Sequence, residues 1–256
     1  MRAGGAMSGM SRPTAGRRPE HLLVPAPGRD VAVTAVIVVL TAALFAAVAE
    51  RGVLAHIQHI DDAWLRLMKS NRSGPVTAFA MVLNVLGLVS VTLPVRIVIA
   101  GFLALRRRWW HLAAFVLAIA MSEVLIGILK GIYDRARPAG SLVATSGTSF
   151  PSGHSIAASV TVVAAVIALV PPGRRRAAWG AAAVAFSILM ALSRAYLGAH
   201  WLSDAVAGVL LGTSCALLAA LAVGVLQRRW AGRRREGPAR PPAQPAPDTS
   251  QAGDRR

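Results

Sequence analysis

The chain has 256 residues, 55% of them hydrophobic and 15% charged, and a mean hydropathy of +0.54. A soluble domain carries about 25% charge, so an ordinary water-soluble enzyme is excluded, as are collagen-like and largely disordered chains. The formal net charge of +17 comes from arginines in short clusters between apolar runs, which is how a membrane protein is oriented; a polytopic membrane protein remains, and no nucleic-acid partner is expected.

Met1–Asp30 is rich in Gly, Pro and Arg without apolar periodicity and reads as a disordered tail. Six apolar segments follow, each near the ~20 residues a helix needs to cross a bilayer. The first is Val31–Ala49. Its last residues, Ala47-Val48-Ala49, resemble a signal-peptidase site, but the run is longer than the usual signal core, so it is kept as a span. In the loop Glu50–Pro75, His56, His59, Asp61 and Asp62 form no readable spacing and are taken as solvated. The second segment, Val76–Leu105, is interrupted by Pro94 and Arg96. The third is Trp109–Leu129, the fourth runs from His154 to Val170, the fifth from Ala177 to Leu192 or as far as Leu197, and the sixth is Ala205–Leu226. Gln227–Arg256 is a basic, Pro/Ala-rich tail expected to be disordered. The expected fold is all-α: a six-helix membrane bundle over residues 31–226 between two tails. Cys215 is the single cysteine and forms no intrachain disulfide.

Arg106–Arg108, Arg174–Arg176 and the arginines after Leu226 fall on one side of six spans, together with the N-terminal tail. The positive-inside rule makes that side cytoplasmic, so both termini are expected inside and the protein in the plasma membrane. The opposite face carries Lys130–Gly153 and Ser193–Asp204, where the unusual chemistry lies.

After the third segment stand Lys130 and Arg137-Pro138. Two cations where a span ends are either snorkelling side chains or a pair converging on an anion, with the arginine fork suited to phosphate oxygens. Pro151-Ser152-Gly153-His154 opens the fourth segment. A helix start offers free N–H groups to phosphate; glycine allows close approach, and His154 at the rim can give a proton. Ser193-Arg194 leads to His200 and Asp204, four apart and so on one face of a helix. A carboxylate bonded to one imidazole nitrogen leaves the other as nucleophile or base. Together these are the parts of a metal-free phosphoryl transfer. Three neighbouring cations oppose a divalent ion, so no metal or other cofactor is expected. Arg96 and Glu123 both fall near mid-membrane, either as a buried pair or as independent charges facing water.

These motifs, K-x6-RP, PSGH and SR-x5-H-x3-D, resemble the type 2 phosphatidic acid phosphatases, which share their site with glucose-6-phosphatase and the vanadium haloperoxidases. Every position of the pattern matches, over roughly Trp109 to Leu226. The resemblance implies that His200 attacks phosphorus to form a phosphohistidine and that Asp204 orients it. His154 would protonate the leaving group and then activate water, while Lys130, Arg137, Ser152, Gly153 and Arg194 hold the phosphoryl oxygens. The six-span form looks like the bacterial phosphatases of lipid phosphates and isoprenoid diphosphates. A polyprenyl diphosphate is the first expected substrate and a phosphatidic-acid-like lipid the second. A phosphotransferase using the same intermediate, or a non-catalytic lipid-binding protein, stays open.

Overall fold

The structure, a computed structural model, describes residues 21–235. Among these residues there are eight α-helices and no strand: α1 (Pro27–Ala49), α2 (Arg51–Ser70), α3 (Gly74–Leu86), α4 (Val89–Leu105), α5 (Trp109–Ile132), α6 (Gly153–Leu169), α7 (Arg174–Tyr196) and α8 (Leu202–Arg235). Four of them, α1, α5, α7 and α8, are long and apolar enough to cross a membrane, and α3 with α4 adds a fifth crossing if the pair, bent by 54°, is one span. Helix α6 is apolar over 17 residues, about 26 Å at ~1.5 Å per residue. Large apolar side chains such as Val39, Val98, Leu105 and Trp179 stand exposed on the outside of the bundle, as lipid-facing helices require and soluble ones avoid.

The all-helical membrane class stands, but three sequence expectations need correction. First, the supposed solvated loop after α1 is helix α2. Leu54, Ile57, Asp61, Trp64, Leu65 and Met68 recur at helical spacing on its protected side, while Val53, Ile60 and Leu67 are exposed on another. The N-cap Glu50 starts it by accepting the Val53 N–H at 2.6 Å. Charged residues interleaved with two apolar stripes hide such a helix from a search for continuous apolar runs. Second, the long second segment breaks at Gly87-Leu88, and Pro94 lies inside α4. Third, helix continues past Leu226 to Arg235, and residues before α1 pack against it. Leu23 and Val24 are buried, Leu23 N donates to Gln227 Oε1 at 3.1 Å, and Arg228 Nε donates to the Val24 carbonyl at 3.1 Å. Of the stretches expected to be disordered, 1–20 and 236–256 lie outside the described residues.

Two packing features place the site. Helices α6 and α8 cross closely because α8 carries Gly208 and Gly212. A Cβ at Gly212 would lie 2.1 Å from Ser159 Oγ, and one at Gly208 would lie 2.7 Å from the Ser152 carbonyl oxygen. Small residues let two backbones meet, and this crossing presses the start of α8 onto the start of α6. Beside it, Phe150 is fully buried, with its ring 4.8 Å from both Phe45 and Tyr133. Those contacts anchor the α5–α6 loop just ahead of Pro151.

Candidate active site

Three chain segments meet at one end of the bundle: the α5–α6 loop, the start of α6, and the α7–α8 turn. His200 lies in that turn, just before α8, and Asp204 in the first turn of α8, so the two do not share a helix face as expected. The His200 Nδ1 instead bonds the Ser149 carbonyl at 2.7 Å, and Asp204 Oδ2 is 3.8 Å away. A carbonyl only accepts, so Nδ1 carries the proton and Nε2 keeps its lone pair. Arg137 Nη1 stands 3.2 Å from that Nε2 and also donates to the Ala199 carbonyl at 2.7 Å. Burial holds the His200 imidazole below the ordinary histidine range; Asp204 opposes that shift, and Arg137 and Arg194 add to it. The free imidazole is therefore neutral at pH 7.

Arg137 is gripped by the loop it helps to form, through the carbonyls of Gly147 at 2.9 Å, Ser146 at 2.8 Å and Thr148 at 3.1 Å. Arg194, in the last turn of α7, is 3% exposed and donates to Asn84 Oδ1 of α3. Lys130, in the last turn of α5, is close enough to Arg137 for the two charges to repel. Ser152 is the N-cap of α6 and fully buried; its N–H donates to the Asp204 carbonyl at 3.1 Å. That bond leaves its hydroxyl, and the N–H groups of Gly153 and His154 in the first turn, as the donors the helix start can offer.

His154 sits under the α3–α4 break. A Cβ at Gly87 would come 2.5 Å from its Cδ2, so the break and its glycine make the room the ring occupies. The His154 Nε2 is buried and has no hydrogen-bond partner among the described residues. A groove of about 410 Å³ runs from His154 and Gly153, past Leu88, Thr92 and Ile126, to Arg96 and Glu123. There Arg96 Nη1 pairs with Glu123 Oε1 at 2.7 Å, and Arg96 Nε donates to Thr161 Oγ1 at 2.9 Å. The two charges that the sequence places near mid-membrane are thus a pair on the groove wall.

All eight residues singled out from the sequence lie around this end of the bundle. Sequence reasoning missed four others. Arg135 binds both Asp204 and Asp61, Asp61 comes from the unforeseen α2, Ser149 receives His200, and Asn84 receives Arg194. A signal existed for two of them: Arg135 sits two residues before Arg137 in an extended stretch, and Asp61 falls on the protected stripe of α2.

Residues 111–228 match the model of the PAP2 superfamily. That stretch is similar to the superfamily and holds all eight residues singled out from the sequence. It is 31% identical over 133 residues to phosphatidylglycerophosphatase B of Bacillus subtilis (strain 168), a match covering 50% of this chain and 65% of that protein. The crystal structure of a transmembrane PAP2-type phosphatidylglycerolphosphate phosphatase from Bacillus subtilis superposes with a TM-score of 0.64 at 26% identity, over 77% of this chain and 96% of the other. Aquifex aeolicus LpxE superposes with a TM-score of 0.51 at 25% identity, over 60% and 91%.

Proposed function

We propose that the protein is an integral membrane phosphatase that hydrolyses a lipid phosphate through a phosphohistidine on His200, without metal. The observation that carries this reading is the His200 imidazole: Nδ1 is bonded to the Ser149 carbonyl, and Nε2 faces Arg137 at 3.2 Å. That is a nucleophile set beside a phosphate-binding cation.

In the first half-reaction Nε2 attacks phosphorus in line and the bond from phosphorus to the lipid oxygen breaks. Protonated His154 gives its proton to the departing oxygen. In the second, neutral His154 takes a proton from water, the water oxygen attacks phosphorus, and the phosphorus–nitrogen bond breaks to return His200. Lys130, Arg137 and Arg194 stabilise the charge that spreads over the phosphoryl oxygens. The Ser149 carbonyl and the Asp204 carboxylate stabilise the imidazolium.

The lipid body lies in the groove below His154. Its wall carries the Arg96–Glu123 pair, which suits the ester groups of a glycerolipid better than the bare hydrocarbon of a polyprenyl chain. The names of the Bacillus subtilis relatives point the same way, toward a glycerolipid phosphate monoester. Six spans, namely α1, the bent pair α3–α4, α5, α6, α7 and α8, put the arginine clusters in the cytoplasm and the site outside. The test is phosphate release by the detergent-purified chain from a matched panel of phosphatidate, phosphatidylglycerol phosphate and polyprenyl diphosphate in excess EDTA. Release from the glycerolipids is expected, with inhibition by vanadate. Activity that needs added Mg²⁺ or Zn²⁺ would overturn the mechanism. An externally active reporter fused after Arg235 is expected to be silent, and a signal there would reverse the topology.

A further inference from the structure

We propose that Asp61 and Arg135 are positioning residues for His200, which makes α2 a working part of the site; this rests on the phosphatase reading above. Arg135 is 9% exposed, Asp61 2% and Asp204 0%. The Arg135 guanidinium forks between the two carboxylates. Its Nη1 donates to Asp204 Oδ1 at 2.6 Å and to Ser203 Oγ at 2.7 Å. Its Nη2 donates to Asp61 Oδ2 at 2.7 Å and to Gln58 Oε1 at 2.7 Å. Asp61 in turn accepts the Ser203 N–H at 2.9 Å and the Ser203 hydroxyl at 2.6 Å.

From there the path to the nucleophile is closed. Asp204 Oδ2 accepts from the Ser149 hydroxyl and from Trp201 N at 3.0 Å. Ser149 N donates to the Arg135 carbonyl at 2.8 Å. Ser149 thus hangs on Arg135 by its main chain and on Asp204 by its side chain, and its carbonyl holds His200 Nδ1. Both Nη groups of Arg135 are committed to side chains that lead back to His200, so Arg135 acts through these partners.

The charges give the device a direction. A buried carboxylate stripped of its cation is costly, so Asp204 needs Arg135, and Arg135 needs Asp61 to hold its fork in place. The trio carries one net negative charge beside the three cations Lys130, Arg137 and Arg194. Two positive charges remain, and a third while His154 carries its proton, which together suit a phosphate dianion. Removing the Asp61 charge makes the site more positive while loosening the nucleophile. Phosphate binding is then kept and turnover is lost.

The experiment compares Asp61→Asn, Arg135→Gln, the double variant, Asp61→Glu and Ser203→Ala in the full chain in detergent. Each is assayed on a soluble aryl phosphate and on phosphatidate, with thermal unfolding measured alongside. Asp61→Asn is expected to lower kcat about 10- to 100-fold, the usual cost of an outer-shell partner. KM should hold or fall, vanadate inhibition should persist, and Asp61→Glu should recover part of kcat. The double variant should lose no more than Arg135→Gln, since the residues act in series. If α2 is only a strut, Asp61→Asn lowers the unfolding temperature but leaves kcat per folded molecule unchanged, and that result overturns the proposal, as do additive losses. Should Asp61→Asn not fold, Ser203→Ala decides, with a fall in kcat at unchanged KM expected and an unaltered kcat fatal. A wild-type chain that releases no phosphate from either substrate refutes the phosphatase reading itself, a distinct outcome.

Discussion

At one end of the bundle Arg108 and Arg176 lie beside His21 and His111, whose rings are 4.2 Å apart. At the other, Arg135, Arg137 and Arg194 lie around His200 and His154. The residue types are the same and the arrangements differ. Arg176 ends on main-chain carbonyls, those of Val170 and Ile167 at 2.8 Å and Leu23 at 3.1 Å, and Arg228 ends on the carbonyls of Val24 and Pro25. These bonds satisfy helix ends and tie down the segment before α1. At the site end, two buried carboxylates divide one guanidinium, and one imidazole has its Nδ1 bonded to a carbonyl and its Nε2 beside a cation. A cluster of arginines and histidines marks a site only where buried carboxylates accompany it.

The contrast breaks first at His200. His200→Ala should abolish turnover of every substrate and leave no trapped phosphoenzyme in single-turnover labelling, while unfolding changes little. In the wild type the acid limb of kcat/KM should lie below the ordinary histidine pKa of about 6.5, because burial holds His200 neutral. An acid limb at or above 6.5 would show that another group sets the active form. His154→Ala should cost ~10²–10⁴-fold on a lipid alkoxide leaving group and less on an aryl phosphate, with phosphoenzyme accumulating. If His200→Ala still labels and His154→Ala does not, the two roles are exchanged.

How much of this contrast is legible in the sequence follows from what each part is made of. The long spans show because apolar runs are continuous, and Lys130, Arg137, His154, Arg194, His200 and Asp204 show because they stand in short motifs at the span ends opposite the arginine clusters. Helix α2 does not show, since its protected stripe includes Gln58 and Asp61 among apolar residues. The true partner of His200 Nδ1 cannot show at all: it is a main-chain carbonyl, which every residue possesses. The break at Gly87 is overlooked because Pro94 is the louder signal, yet the requirement that decides it is space for the His154 ring.

Where the site end stops along the bundle is tested by Arg96 and Glu123. The Arg96 side chain is 10% exposed and that of Glu123 57%, facing the groove. The loss on removing either alone should therefore fall below the about 3–5 kcal/mol of a fully buried pair. Removing both should cost less than the sum in unfolding experiments. Phosphatidate turnover should fall more than aryl phosphate turnover, because only the lipid reaches that depth. Equal loss on both substrates would make the pair part of the scaffold alone.

The smallest expected effect belongs to the opposite end and has a sign. Burial, with the charges of Arg108 and Arg176, lowers the His21 pKa from 6.5 to about 4. The neutral ring is the one that fits, and its Nδ1 is bonded to Arg108. Between pH 6.5 and about 4 the undocked segment binds more protons than the docked one, and stability rises with pH wherever that holds. The contribution of His21 is therefore complete above pH 6.5 and is lost progressively as pH falls toward about 4. Hydrogen exchange at the Leu23 amide, which donates to Gln227, should accelerate over that window beyond its intrinsic pH dependence. His21→Leu, which cannot take the proton, should flatten the slope and leave kcat on an aryl phosphate at pH 7 unchanged. A changed kcat would mean that the two ends are coupled through the bundle, and the distinction between an end that ties down the segment before α1 and an end that holds paired carboxylates would have to be redrawn around that coupling.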